Sequence, residues 1–392
     1  MQPLRIIPGC LLICLLAGGW ARAQTIYFNT SSSVLSANTL DSVATNGAGK
    51  STLLAATGVD FNKISRCTAV AVDNLNSRLF LIDGETYDLW SLNLDGTGPT
   101  LVKGGLTNYP TDLALDVLNE KIYYTTSSTI QGNNTVQRVD YTGSNNVTLF
   151  LATSNAPGGN GVWRCTALAV DSLNAKLFIA DAGARKIWSL SLNGTGAMAL
   201  ASTTNCVPTD LALDPANQQV YFTASSPVQS SNHIQRVTYS GTGLTTLFTA
   251  AGSVQRCTAL DLDPAHATLY LSDAGSNAPA LWRIPLAGGS ATSVLSGLAA
   301  TAKKVRWFSG PTTRPAPSLT GVTLAGSSVV LTATNGLVGG TYYVLTSTNL
   351  DLPLSQWLLL STNVLGASGS FSLTATNPVA AVPRRFFLLR VQ

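Results

Sequence analysis

A repeat of about 44 to 54 residues is the feature that most constrains how this chain can fold. Its copies begin at Cys67, Thr111, Cys165, Thr209 and Cys257, and a shorter copy begins at Thr301. Each full copy carries two short apolar runs separated by turn residues. The first run ends in an aspartate each time, namely Asp73, Asp116, Asp171, Asp214 and Asp263. We interpret these aspartates as structural, because a carboxylate there can accept the backbone N–H two residues further on and stabilise a turn.

The repeat length indicates a β-propeller, since units of this size with several strands are typical of propeller blades. Residues 25–58 match the later strands of the copies at Thr111 and Thr209 but lack a first strand, whereas residues 301–306 supply only a first strand. We therefore expect the last strand to complete the N-terminal blade, closing the ring and covering its sheet edges. The predicted fold class is all-β, with a six-bladed β-propeller of split-blade closure over residues 24–308.

The second apolar run of each copy carries a family resemblance. It reads Leu-Phe-Leu-Ile-Asp at 79–83, Ile-Tyr-Tyr-Thr-Thr at 122–126, Leu-Phe-Ile-Ala-Asp at 177–181, Val-Tyr-Phe-Thr-Ala at 220–224 and Leu-Tyr-Leu-Ser-Asp at 269–273. Together with Leu-Asp-Gly-Thr-Gly at 94–98, these runs resemble the YWTD repeat, also called the low-density lipoprotein receptor class B repeat. No copy contains the literal Tyr-Trp-Thr-Asp, and NHL-type propellers have a similar pattern. The resemblance implies a six-bladed propeller over roughly residues 25–306.

The two ends of the chain differ from the repeats. Residues 1–23 have the pattern of a signal peptide, with Arg5, an apolar run over residues 6–16 and a small-residue cleavage site at 21–23. We therefore expect an exported protein, secreted or held at the cell surface or in the periplasm, without a transmembrane segment. Residues 309–317 have the composition of a linker. Residues 318–392 contain about five strand-like runs, which predict a small β-sandwich.

The charge content limits the classes of function. Charged residues make up 11% of the chain and the net charge is +4. A nucleic-acid-binding protein would show a clustered basic face instead, so we predict no nucleic-acid partner. Two histidines and two glutamates leave little material for acid–base or metal chemistry. We predict no metal and no cofactor, and the sequence contains no convincing catalytic constellation.

Two classes of function stay open. The favoured one is an exported, non-catalytic binding or scaffold protein whose propeller face binds a protein or a glycan. The alternative is a propeller hydrolase or lactonase of the gluconolactonase or strictosidine synthase type, with a metal in the central channel. Against the enzyme, Glu85 is expected in an outer loop and Glu120 in a turn on the opposite face. His233 and His266 are expected away from the starts of the inner strands.

One face of the propeller is predicted to hold the ligand-binding residues. In an up-and-down blade, the start of the first strand and the end of the second lie at the same edge. The candidates at this edge are Arg66, Asp112, Arg164, Asp210 and Arg256, and the last copy adds Lys303 without an aspartate. This alternating charge has two interpretations. The first is a ring of salt bridges that pairs the polar groups at the inner strand ends. The second is a binding site with a preference for anionic groups, which arginine binds well.

Three related loops are expected on the same face, at residues 30–38, 126–134 and 224–232. They are rich in serine and end in asparagine, side chains that can hydrogen-bond a sugar or a peptide backbone. The plain alternative is that they are solvated loops without a ligand.

Four cysteines follow the predicted signal peptide. Cys67, Cys165 and Cys257 occupy equivalent places in alternate copies, so around a channel they should lie too far apart for a disulfide. We expect them to be buried thiols. Cys206 is the best candidate for a disulfide, with Cys165 or Cys257 as its partner.

Overall fold

A computed structural model describes the chain in two compact units, one within residues 22–311 and the other within residues 312–392. The described residues are 24–32, 38–55, 64–128, 130–152, 161–275, 279–309, 318–325, 328–334, 341–349, 352, 356–364, 370–375 and 386–391. The predicted signal peptide and most of the predicted linker lie outside these ranges.

The first unit consists of six four-stranded antiparallel sheets over its described residues. Sheet 1 contains β4 (Cys67–Asp73), β5 (Arg78–Asp83), β6 (Asp88–Asn93) and β7 (Thr100–Lys103). Sheet 2 contains β8 (Tyr109–Asp116), β9 (Lys121–Ser127), β10 (Thr135–Asp140) and β11 (Val147–Leu151). Sheet 3 contains β12 (Cys165–Asp171), β13 (Lys176–Asp181), β14 (Lys186–Ser191) and β15 (Met198–Ser202).

The remaining three sheets follow the same order. Sheet 4 contains β16 (Val207–Asp214), β17 (Gln219–Ser225), β18 (His233–Thr238) and β19 (Thr245–Thr249). Sheet 5 contains β20 (Cys257–Asp263), β21 (Thr268–Asp273), β22 (Ala280–Pro285) and β23 (Thr292–Leu295). The closing sheet combines β24 (Ala302–Phe308) with β1 (Thr25–Thr30), β2 (Thr39–Ala44) and β3 (Ser51–Ala55).

The six sheets form a closed ring through their first strands. The first strand of each sheet contacts the first strand of the next, and β24 contacts both β20 and β4. Within the closing sheet β24 pairs antiparallel with β1, so that Thr25 lies opposite Phe308 and Phe28 lies opposite Val305. The last strand of the ring therefore completes the sheet that the first three strands begin.

The core of this unit lies between neighbouring sheets. Six clusters of buried apolar side chains occur, and each combines residues of two consecutive sheets around the whole ring. Between sheets 1 and 2, for example, Phe80 packs with Leu113, Ile122 and Tyr124. Burying a side chain such as Phe80 contributes about 1.5–3 kcal/mol, so the apolar faces of the strands drive the stacking of the sheets.

The first strands of sheets 1 to 5 all end on a hydrogen-bonded aspartate. Asp73 Oδ1 accepts the backbone N–H groups of Leu75 and Asn76, both at 2.9 Å, and its Oδ2 accepts the Asn76 amide at 2.8 Å. The equivalent aspartates of the other four sheets also accept a backbone N–H three residues on; they are Asp116, Asp171, Asp214 and Asp263. These side chains are buried in the turns that they stabilise.

The second unit contains two three-stranded antiparallel sheets. One has the order β25–β26–β29 and the other the order β28–β27–β30. Their strands are β25 (Ser318–Ala325), β26 (Ser328–Thr334), β27 (Thr341–Ser347), β28 (Leu358–Val364), β29 (Phe371–Ala375) and β30 (Phe386–Val391). Val329, Leu331 and Val344 form its buried apolar cluster, which draws on both sheets.

The predicted all-β class is confirmed. Helical structure in the described ranges consists of two single 3₁₀ turns, Gln131–Asn133 and Gln229–Ser231, and one further 3₁₀ residue, Gln356. None of the described helical segments has the length and hydropathy needed to cross a membrane.

Candidate binding face

The antiparallel order of the strands separates two faces of the ring. We call the side where the first strands begin and the second strands end the rim face, and the side of the Asp73-type turns the turn face. Backbone hydrogen bonds place three predicted site residues on the rim face, because Arg66, Arg164 and Arg256 each accept one from the loop after a second strand. These bonds are 2.8–2.9 Å long and join the start of a first strand to the end of its neighbour.

At the centre of the ring, alternate sheets place polar residues at equivalent positions of their first strands. Asp112 lies opposite Thr125 in sheet 2, and Lys304 lies opposite Asn29 in the closing sheet. Asp210 of sheet 4 donates its backbone N–H to the Thr223 hydroxyl over 3.0 Å, which fixes it at the matching place. Sheets 1, 3 and 5 carry alanine here, and these small residues leave room for the longer side chains; they are Ala69, Ala167 and Ala259.

The three polar residues meet in a buried ion cluster. Lys304 Nζ lies 2.8 Å from Asp112 Oδ2 and 2.7 Å from Asp210 Oδ1, and all three side chains are buried. Arg306, two residues further along β24, lies 3.3 Å from Asp210 and 3.6 Å from Asp112. Each aspartate also accepts a backbone N–H from the next sheet, from Leu168 to Asp112 and from Leu260 to Asp210. The cluster therefore ties five sheets together, namely sheets 2 to 5 and the closing sheet.

The environment of the cluster perturbs its acids differently. Burial raises the pKa of Asp112 even though Lys304 and Arg306 oppose it. Burial alone would also raise the pKa of Asp210, but the same two cations outweigh it and lower that pKa. Nearby, Asp261 accepts the backbone N–H of Trp307 at 2.6 Å, and burial raises its pKa to about 6.

The predicted site residues therefore divide into two groups. Asp112 and Asp210 lie inside the ring and are neutralised by Lys304 and Arg306, whereas the three arginines and Lys303 lie at the surface. Arg164, Arg256 and Lys303 are exposed, and Arg66 is half-buried with its Nη1 3.6 Å from Glu85. Lys304 and Arg306 were not among the predicted site residues. Their alternation along a first strand, where the other copies are mainly apolar, is the signal that could have revealed them.

Buried carboxylates fix the three arginines on the rim face. Asp181, at the end of β13, accepts the backbone N–H groups of Trp163 at 2.7 Å and Arg164 at 2.9 Å. It also accepts the N–H of Gly183, so one side chain holds both the approach to the first strand and the loop after the second. Asp83 and Asp273 do the same before Cys67 and Cys257. The rim arginines therefore project from a fixed backbone.

Asparagine side chains fix the serine-rich loops. Asn134 Oδ1 accepts the Ser128 N–H at 3.0 Å, and its amide donates to the carbonyls of Ser128 and Ile130. Asn232 makes the same contacts with Ser226 and Val228 in sheet 4. In the closing sheet, Asn38 accepts the Ser32 N–H at 2.8 Å. All three asparagines are buried, so they hold the described residues of these loops in place.

The loops present apolar side chains to solvent. Ile130 is 64% exposed and Val228 is 56% exposed, and each follows by two residues a serine whose hydroxyl accepts its N–H. Trp163, next to Arg164, is 50% exposed. Tyr87 is 39% exposed and makes an edge-on ring contact with Tyr109 at 6.0 Å. The rim face thus combines exposed apolar and aromatic side chains with arginine.

A groove lies beside Arg256 on this face. Its volume is about 280 Å³, and its lining includes Ser226, Pro227, Gln255, Ala274 and Gly275. Arg256 Nε donates to the Ser225 hydroxyl at 3.2 Å, which holds the guanidinium at the edge of the groove.

The residues considered for an enzyme are dispersed. His266 contacts Asp263 at 2.8 Å on the turn face, and His233 contacts Thr249 at 3.1 Å. Across the described ranges, no three His, Cys, Asp or Glu side chains come together in a group that could hold a metal ion.

All four described cysteines are free and buried, so Cys206, the candidate for a disulfide, pairs with neither Cys165 nor Cys257. The Cys206 thiol instead donates to the Ser231 carbonyl at 2.9 Å. Burial raises the pKa of all four thiols, to about 12 for Cys257 and further for Cys67 and Cys165, which keeps these three protonated.

Comparison with solved structures identifies the architecture, although no family model matches the chain. The structure of a nidogen/laminin complex aligns with a TM-score of 0.58 at 15% identity, over 73% of this chain and 99% of that chain. TolB from Acinetobacter baumannii aligns with a TM-score of 0.57 at 10% identity, over 74% of this chain and 68% of that chain. A putative TolB from Agrobacterium tumefaciens gives 0.51 at 12% identity, over 74% and 99%. The chain has a β-propeller fold.

Proposed function

We propose that this chain is an exported, non-catalytic binding protein that docks a partner protein on its rim face. Its six sheets are the blades of a six-bladed propeller with split-blade closure over residues 24–308. Residues 1–23 are a signal peptide, residues 309–317 a linker and residues 318–392 a small β-sandwich. The nidogen/laminin neighbour supports the proposal in one respect, because it is a propeller described in a complex with another protein.

The observation that carries this proposal is the composition of the rim face. Trp163, Tyr87, Ile130 and Val228 expose apolar surface there, and Arg164 is the sequence neighbour of Trp163. Tryptophan, tyrosine and arginine are the residue types that dominate the energetics of protein–protein interfaces. Exposed apolar side chains of this kind supply the contact area of an interaction surface.

The rigidity of the loops supports the same function. Ile130 and Val228 project from loops whose backbones are already fixed by Asn134 and Asn232. A preformed surface loses little conformational entropy on binding, so more of the contact energy contributes to affinity.

Internal hydrogen bonding favours a protein over a glycan. The Asn134 and Asn232 amides donate to carbonyls of their own loops. The Ser128 and Ser226 hydroxyls accept N–H groups of the same loops. A sugar is recognised largely through such polar groups, whereas a protein can use the apolar side chains that these loops expose.

In this function the predicted site residues have two roles. Arg66, Arg164, Arg256 and Lys303 contact the partner, while Asp112 and Asp210 hold the ring that carries them. A guanidinium fixed by its backbone is suited to paired hydrogen bonds with a carboxylate or carbonyl group.

The experiment compares the full chain with two variants as baits for proteins exported by its source. The double variant Ile130→Asp/Val228→Asp changes the rim face, and Leu173→Asp changes the turn face, where Leu173 is 54% exposed. We expect a protein that the wild type and Leu173→Asp retain equally and that the double variant loses. Equal retention by all three baits would contradict docking on the rim face.

A further inference from the structure

We infer that the docked partner is an acidic polypeptide, whose carboxylates bind the arc of the rim face formed by Arg66, Arg256 and Lys303. We call these three residues the cationic arc. The inference rests on the proposed function and adds the chemistry of the partner.

The cationic arc spans three consecutive sheets. Arg256 precedes the first strand of sheet 5, Lys303 lies in the first strand of the closing sheet, and Arg66 precedes the first strand of sheet 1. The three first strands contact one another in that order. Because these strands are neighbours, the three cations occupy one arc of the rim face, and partial desolvation together with the positive charges of Arg256 and Arg66 lowers the pKa of Lys303. Three cations that repel one another favour an anionic ligand.

Within the described ranges, the side chains of the arc lack the buried ion pairs that balance Lys304 and Arg306. Asp112 and Asp210 point into the buried cluster, where Lys304 and Arg306 neutralise them. A β-bulge at the start of β24 allows Lys303 and Lys304 to take different environments, with Lys303 exposed and Lys304 buried. Asp83 and Asp273 accept the backbone N–H groups of Arg66 and Arg256. The carboxylate that forms an ion pair with a side chain of the arc within the described ranges is Glu85, 3.6 Å from Arg66 and 60% exposed. An exposed contact of this length is weak, so a ligand carboxylate can replace Glu85.

The groove beside Arg256 gives one carboxylate a defined place. Ala274 and Gly275 are small, and together with Pro227 they help to leave about 280 Å³ next to the guanidinium. That volume accommodates an aspartate or glutamate side chain. Gly275 also lies against Gln255, 2.8 Å from where a Cβ would stand, so a larger residue here would narrow the groove.

The neighbours of the arc indicate a polypeptide rather than an anionic glycan. Val228 follows Pro227 of the groove and is exposed, and Tyr87 lies two residues from Glu85 and is also exposed. Carboxylates flanked by apolar side chains match this alternation of cationic and apolar groups. A polyuronate would leave the exposed apolar surface uncovered.

The test measures binding of a labelled peptide of alternating glutamate and valine to the full chain by fluorescence anisotropy. Lys303→Glu and Arg256→Glu should each weaken binding by about tenfold, because an attractive exposed contact becomes repulsive. Lys176→Glu is the matched control, since Lys176 begins β13 on the turn face and the change in net charge is the same. It should leave the affinity unchanged, and added salt should weaken binding by the wild type.

Three outcomes would overturn the inference: no binding of the acidic peptide, an equal loss in Lys176→Glu, or binding of polygalacturonate in place of the peptide. The proposed function has a separate test, because Ile130→Asp/Val228→Asp probes apolar docking. If that variant loses a partner while the acidic peptide fails to bind, docking on the rim face is supported and the acidic nature of the partner is refuted.

Discussion

Replacing Lys304 by methionine tests whether the central ion cluster holds the ring together. Methionine keeps most of the volume of the side chain and removes its charge, which leaves Asp112 and Asp210 buried beside Arg306 alone. Lys304 forms two charged contacts, at 2.8 and 2.7 Å. Hydrogen bonds to charged groups contribute about 1.5–3 kcal/mol each, and removing one member of a buried ion pair costs about 3–5 kcal/mol. Because Arg306 keeps partial compensation, we expect a loss near the lower end, about 3 kcal/mol.

The assay is urea unfolding followed by tryptophan fluorescence, with the loss taken from the shift in midpoint. Lys303→Met is the matched control, because Lys303 is adjacent in sequence and exposed; it should change the free energy of unfolding by less than about 0.5 kcal/mol. Adding Asp112→Asn to Lys304→Met should recover part of the loss, since one buried carboxylate disappears. A loss below about 1 kcal/mol, or an equal loss in Lys303→Met, would refute the structural role of the cluster.

Three further predictions follow from other buried groups. Burial raises the pKa of Asp261 to about 6. Its contribution to stability is therefore full below the unfolded pKa of about 3.9 and is lost as the pH rises through 6. Between these two pH values, unfolding titrations should show that the wild type loses about 1.4 kcal/mol of unfolding free energy per pH unit relative to Asp261→Asn. Asp181→Ala should lower the free energy of unfolding by about 2–4 kcal/mol, because it strips acceptors from the N–H groups of Trp163, Arg164 and Gly183, whereas Asp95→Ala at an exposed turn should have little effect in the same urea titration. In a chain that begins at Gln24, a thiol reagent should label none of the four buried cysteines when the protein is folded and all four in urea; labelling of Cys206 in the folded chain would contradict its burial.

Much of the fold follows from the sequence because the repeats are redundant. A turn aspartate such as Asp73 recurs in five copies. The strands and turns of a less regular copy can therefore be assigned by alignment with the others. The incomplete copies at the two ends imply a strand pairing that needs no knowledge of side-chain contacts. Local pattern alone therefore leads to the all-β class.

The candidate site follows less well, because a difference of one residue in strand pairing decides it. Aligning the copies by sequence puts Lys303 near the channel, but the pairing of β24 with β1 places Lys304 opposite Asn29, which matches the position of Asp112 opposite Thr125. Side chains alternate along a strand, so a shift of one residue exchanges buried and exposed positions. The arginines lie at the surface and the aspartates inside the ring for a related reason, since Arg66 precedes its strand whereas Asp112 lies inside one. Such offsets depend on the register of pairing, which the apolar pattern does not record.

The pairing of β24 with β1 also sets the order of events during folding. β1 to β3 leave the ribosome first, yet the inner edge of their sheet has no partner until residues 302–308 have been synthesised. Closing a loop of nearly the whole unit is entropically costly and slow, so this contact should form late. The same strand delivers Lys304 and Arg306 to Asp112 and Asp210. Ring closure and neutralisation of the buried acids thus become one step. Loss of β24 would leave the sheet edge at β1 unpaired and Asp112 and Asp210 without their cations.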